Sequence, residues 1–142
     1  MSGKGGRIRA ANPPGRPRPS GYSNAVIADG RLVAVAGQVA FDAKGRIAGE
    51  GDLVAQFSLA LDNLGAALAA AGAGFGDVVK ITIYVLDRDV YRDSLRPIGE
   101  AYRARFGSHY PAMTLVEVSR FFEEGALVEV DALAVIAREG GQ

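Results

Sequence analysis

The chain has 142 residues, 49% of them hydrophobic and 23% charged, and its sixteen basic and sixteen acidic side chains balance to a net charge of zero. That is enough material for one hydrophobic core and a single soluble domain. There is no cysteine and one histidine, His109, which excludes disulfides, thiolate metal sites, cysteine nucleophiles and multi-histidine metal centres; no metal or cofactor is expected.

The charge is unevenly spread. Residues 1–20 hold Lys4, Arg7, Arg9, Arg16 and Arg18 without an acid, leaving eleven basic against sixteen acidic side chains in the remainder. A basic arm on an acidic body is one form of nucleic-acid tail, but this arm has no aromatic ring to stack on a base. Residues 1–19 are therefore read as a flexible Gly/Pro-rich leader, 20–137 as the folded domain and 138–142 as a tail. Gly3-Lys4-Gly5-Gly6 lacks the spacing and the Ser or Thr of a phosphate loop. The acidic body argues against nucleic acid as a partner. No uninterrupted apolar run reaches about eighteen residues and the start has no apolar secretory core, so no membrane association and a cytoplasmic location are expected.

Tyr22 to Ala28 and Leu32 to Gln38 read as strands, and Asp29-Gly30 between them is a two-residue hairpin signal. Phe41 to Gly51 is turn-rich, with room for a short strand at Arg46 to Ala48. Leu53, Phe57, Leu61, Leu64 and Leu68 recur at steps of three and four, lining one face of a helix from about Asp52 to Ala71, with Asp52 at its start and Gly72 at its end. Asp77 to Leu86 is a strand with Val79, Ile81, Ile83 and Val85 on one side and Val78, Lys80, Thr82, Tyr84 and Leu86 on the other.

Asp89 is placed to cap a second helix running to Phe106, with Leu95, Ile98, Tyr102 and Phe106 on one side and Pro97 as an internal irregularity. Tyr110 to Val118 and Gly125 to Ala134 complete the chain as two partnered strands. In the second, period two puts Leu127, Glu129, Asp131 and Leu133 on one face, opposite Val128, Val130, Ala132 and Ala134. Two carboxylates in an apolar strand must face solvent, a subunit or a site. The order implies an α+β domain whose mixed six-stranded sheet carries two helices on one face; its open, partly apolar face predicts oligomerisation.

Gly21-Tyr22-Ser23-Asn24-Ala25-Val26, Ala36-Gly37-Gln38-Val39, Gln56 with Asp62-Asn63-Leu64, Asp77-Val78-Val79-Lys80, Tyr102 to Phe106, Tyr110-Pro111-Ala112 and Gly125 to Ala132 together resemble the RidA/YjgF family of imine deaminases over about residues 20–137. The resemblance implies a chorismate-mutase-like fold, a barrel-like homotrimer, and a small-molecule cleft at each subunit interface. It also implies a reaction, hydrolysis of a 2-imino or 2-enamino acid to a 2-keto acid and ammonia. In the family's deaminases an arginine after Pro-Ala grips the substrate carboxylate; here that residue is Met113, which has neither charge nor donor.

Other departures make the implied cleft more apolar: Ala36 replaces a serine beside Gly37, Gly99 an asparagine, and Leu115 a cysteine or threonine. Tyr22 and Glu129 match, as cleft wall and as the carboxylate that activates water. The expected activity is that of a RidA-like hydrolase or deaminase of an imine-type or related metabolite, weak or inactive on the usual 2-imino acids. A non-catalytic trimeric ligand-binding protein is the alternative, and the endoribonuclease or translation-inhibitor label carried by some relatives is the third. Glu129 reads equally as a general base or as an interface carboxylate. Asp131 reads as structural, Glu117 as a seam or solvent residue and His109 as a surface residue. Arg31 and Arg120 are the candidate substitutes for the missing arginine.

Overall fold

In the computed structural model, which describes residues 6–139, the elements are β1 (Ile8–Ala11), β2 (Ala25–Ala28), β3 (Arg31–Gln38), α1 (Leu53–Ala70), β4 (Val78–Val85), α2 (Arg88–Asp93), α3 (Leu95–Phe106), β5 (Ala112–Glu117) and β6 (Val128–Ile136). A mixed four-stranded sheet runs in the order β3-β6-β4-β5, and β1 with β2 forms a separate two-stranded ribbon. The fold is α+β. Its six strands are divided between two sheets, where the sequence suggested one.

Helix α1 forms where the leucine and phenylalanine spacing predicts it. Asp52 accepts a hydrogen bond from Ala55 N at 3.0 Å, and the last turn closes onto Gly72, whose φ of +79° needs a residue without Cβ. By length and mean hydropathy this helix is apolar enough to cross a membrane, but Leu53, Phe57, Leu61, Leu64 and Leu68 are buried against the sheet and Asp62 interrupts the other side. It is the core helix. Ile81, Ile83 and Val85 of β4 and Val128, Val130, Ala132 and Ala134 of β6 meet it, with Ile98, Tyr102 and Phe106 of α3.

Buried Gln56 fixes the helix to two loops. Its Nε2 donates to Gly49 O (3.2 Å) and Gly125 O (3.0 Å), while Oε1 accepts from Leu127 N (2.8 Å), so each end of the amide is satisfied. Asn63 likewise donates to the carbonyls of Val39 and Phe41.

Several expectations are corrected. Asp29-Gly30 does not close a hairpin of β2 on β3: β2 pairs antiparallel with β1, and β3 pairs with β6. Gly30 has a φ of +144°, more extended than a tight turn uses, and a Cβ there would collide with Ile136 O as the chain crosses onto β6. Order also begins before Ser20, because part of the leader is β1. Arg7, beside it, ties it to the body by donating to Asp77 Oδ1 at 2.9 Å and to Val135 O. Residues 1–5 of the leader and 140–142 of the tail lie outside the described residues.

The last two strands are not partners. β4 lies between them, antiparallel to β6 and parallel to β5, and the parallel pairing is possible because α2 and α3 form the crossover. A register shift between Val78 and Lys80 turns Val78 into the core in place of Val79. The second helix is broken at Ser94: Asp87, not Asp89, caps α2, and Pro97 falls in the first turn of α3, where its missing N–H costs little. Leu95 consequently stays exposed.

Candidate functional site

The segment before β2 is held against β5 by Ser23. Its N donates to Pro111 O at 3.1 Å and its hydroxyl to Tyr110 O at 2.6 Å, and Ser23 bridges Ala112 as a single parallel rung. Gly21, at a φ of +80°, turns the chain into this clamp. The clamp positions Tyr22, 39% exposed, beside the start of β5.

Here a cavity of about 260 Å³ opens between β5, α3 and the Tyr22 segment. Tyr22, Gly99 and Met113 line it together, with Phe57, Tyr91 and Tyr102. One wall is a stack of rings: Tyr102 lies parallel to Phe106 at 4.3 Å between centroids and to Tyr110 at 5.6 Å. The Tyr102 hydroxyl donates to His109 O at 2.8 Å, and burial raises its pKa well above the usual phenol value. Burial also raises Tyr91, to about 12. Neither phenol ionises near neutrality, so both offer apolar surface and a neutral O–H.

Glu129 stands elsewhere. It pairs with Tyr84 across β6 and β4, and Tyr84's neighbour Ile83 points into the cavity, so carboxylate and cavity lie on opposite faces of one sheet. On that face Glu129, Asp131, Tyr84, Arg120, Phe121 and Phe122 line a second, shallower recess of about 220 Å³. The carboxylate rests on Gly37: a Cβ there would collide with Glu129 Oε2, which is why this position of β3 is bare. Burial, and secondly the charge of Asp131, push the Glu129 pKa above its ordinary 4.5. Asp131 accepts from the Tyr84 hydroxyl at 2.9 Å, and that bond is the main cause of a raised Tyr84 pKa.

The sequence-expected residues therefore form two groups. Tyr22, Gly99 and Met113 share the cavity; Glu129 and Gly37, with Ala36 exposed next to it, share the opposite face. Leu115 packs in the helix–sheet layer two residues from Met113 and does not line the cavity. His109 is half-buried and engaged: its Nε2 lies 2.7 Å from Val78 O and its ring stacks near Phe106, so it braces the loop before β5. Glu117 accepts from Arg88 N at 2.9 Å. Of the two candidate cations, Arg31 sits 3.9 Å from Glu139 at the far end of β3, and Arg120 joins the Glu129 recess. The cavity instead contains Arg103, which lies within the Tyr102–Phe106 segment and one turn after Gly99 on the same helix but was assigned no role from the sequence. Among the described residues no group of acidic or histidine side chains could hold a metal ion.

The family model described as Endoribonuclease L-PSP matches residues 15–136. A RutC family protein of Pyrococcus horikoshii is 35% identical over 118 residues, 83% of this chain and 90% of that protein. The human protein named 2-iminobutanoate/2-iminopropanoate deaminase is 31% identical over 128 residues, 90% of this chain and 88% of its own. Among solved structures, a protein of the Rid family from Yersinia pestis superposes with a TM-score of 0.82 at 32% identity, covering 92% of this chain and 99% of that one.

Proposed function

The chain belongs to the endoribonuclease L-PSP family, the group of the Rid and YjgF proteins, and from that premise we propose that it is a small-molecule enzyme of the deaminase type, hydrolysing the C–N bond of an imine- or enamine-type metabolite. The observation that carries this reading is the cavity where Tyr22, Gly99 and Met113 meet. Water adds to the imine carbon as Glu129 takes its proton; the proton is returned to nitrogen, and collapse of the adduct gives a carbonyl and ammonia. Burial and the neighbouring Asp131 raise the Glu129 pKa, which makes its carboxylate a stronger base for this step.

In this reading the working unit is a cytoplasmic homotrimer. One chain has its cavity and its Glu129 on opposite sheet faces, and β5 past Ala112 has no second strand partner among the described residues. Association of copies brings the Glu129 face of one to the cavity of the next. The thioether of Met113 leaves the β5 side of the cavity without a carboxylate grip, so short 2-imino acids are poor substrates.

The test is to generate 2-iminopropionate in place with an amino-acid oxidase and follow its decay against a trap. The wild-type chain is expected to accelerate decay only weakly, and Met113→Arg to increase the rate by at least about tenfold, the worth of one charge-assisted pair. Rapid hydrolysis by the wild type would overturn the role given to Met113. If Met113→Arg is also inert, the non-catalytic ligand-binding reading is favoured, and the opposite-face placement of Glu129 already gives that reading a basis. A nuclease reading has less support, because the body outside the basic leader is acidic.

A further inference from the structure

Although β5 offers the cavity no cation, α3 does. Arg103 lines it one turn after Gly99, and a Cβ built on Gly99 would stand 3.0 Å from Arg103 Nη1. The guanidinium thus folds back over a bare stretch of helix, and a side chain at position 99 would displace it. Among the described residues Arg103 makes no ion pair and donates no side-chain hydrogen bond, although Glu100 lies one turn before it. By contrast, Arg105 on the same helix is engaged by Asp62 (2.8 Å), Ser58 and Ala101 O. A guanidinium presents five donors in a planar fork suited to a carboxylate. Tyr91 lines the same cavity, and its hydroxyl also has no partner among the described residues.

From this arrangement we propose that Arg103 is the anion-binding residue of the cavity, so that the carboxylate of a ligand is held from the helix side and not from β5. The proposal deepens the reading of this cavity as the ligand site and rests on it. The substrate class follows from what remains uncovered. With the carboxylate at Arg103, the floor opposite is Phe57, Ile83 and Met113, flanked by Tyr102 and Tyr110. A methyl-sized substituent leaves that floor wet, whereas an aromatic or branched apolar body covers it, and each methylene buried adds roughly fourfold in affinity. The pocket therefore selects small carboxylates with a bulky apolar body over short-chain ones. Its volume of about 260 Å³ suits a ligand at the small end of what protein pockets hold.

Three probes titrated into the full-length protein by calorimetry test this: 3-phenylpropionate, its neutral amide, and propionate. For wild type, the phenyl acid is expected to bind roughly tenfold tighter than its amide, the low end for a charge-assisted pair because Arg103 is exposed, and more than tenfold tighter than propionate. Arg103→Gln should abolish the preference for acid over amide while amide binding stays measurable and the fold is kept; Arg103→Lys should retain part of the preference. If Arg103→Gln keeps the full preference, Arg103 is not the anion handle, while continued amide binding leaves the cavity reading standing. Binding of propionate as tight as that of the phenyl acid would overturn the size selection. If the wild type binds neither phenyl probe, the cavity reading fails and the proposal fails with it.

Discussion

Glu129 shows how one residue's surroundings set its chemistry. A carboxylate placed on a glycine backbone, with Asp131 two residues away on the same face, is partly desolvated and beside a like charge, and both effects favour its protonated form. The folded chain therefore holds the Glu129 proton more tightly than the unfolded chain does. Below the ordinary value of 4.5 both states are protonated and stability is undiminished. As pH rises from there through the higher folded value, the unfolded chain releases its proton first and stability falls, levelling off once both are ionised. Glu129→Gln has no such proton to lose. Urea midpoints measured in steps from about pH 4 to about pH 8 should show a decline in wild type that is absent in the variant, with the variant at least as stable near neutrality and, in the proposed reaction, inactive. A variant that tracks wild type at every pH would mean that Glu129 is not perturbed.

At the scale of elements, the joints are made by buried amides as much as by apolar contact. Gln56 satisfies three backbone groups from the loops before α1 and before β6, and an apolar side chain of similar size in its place leaves those groups buried without partners. Gln56→Leu is expected to lower stability by about 2–4 kcal/mol in chemical denaturation, at about 1–3 kcal/mol per unsatisfied group with partial relaxation. A loss below about 1 kcal/mol would show that the loops find other partners. The same contrast explains what could be read without coordinates. Leu53 to Leu68 and the alternation from Val128 to Ala134 were legible because each pattern is local and both fully determine a buried face. Asp29-Gly30 was misread because a turn signal says that the chain bends and not which strand it will meet. The strand it displaced, Ile8–Ala11, lay hidden in Pro/Arg-rich sequence and is fixed by Arg7 reaching Asp77, seventy residues away. The site was split for a related reason: period two places Glu129 and Met113 correctly on their own strands, but only the strand order, with β4 interposed, shows that they face away from each other. Arg103 lies within the Tyr102–Phe106 segment of the resemblance but had no role assigned there, since the place of its side chain depends on the bare position at Gly99.

For the whole molecule, the helix-free face of the sheet sets the problem. Leu32 is 67% exposed, Leu133 is 40% exposed, and Phe122 beside the Glu129 recess is 98% exposed, while one backbone edge of β5 beyond Ala112 has no strand partner among the described residues. β3 pairs with β6 so that Ala34 is opposite Leu133 and Leu32 opposite Val135, which gathers Leu32, Ala34 and Leu133 toward one end of that face. Such a surface is costly in water, at about 1.5–3 kcal/mol for each large apolar side chain left uncovered, and self-association is the cover that the proposed function requires. Light scattering coupled to gel filtration should give about three times the mass of one chain. Charging the patch with Leu32→Lys and Leu133→Lys together should reduce that to the mass of a single chain without unfolding it, because neither side chain belongs to the buried core. Catalysis should fall with the trimer if Glu129 acts on a neighbour's cavity, whereas phenylpropionate binding, which needs only Arg103 and the cavity of one chain, should persist. A wild type that runs as a monomer, or a dissociated variant with full activity, would show that each chain works alone.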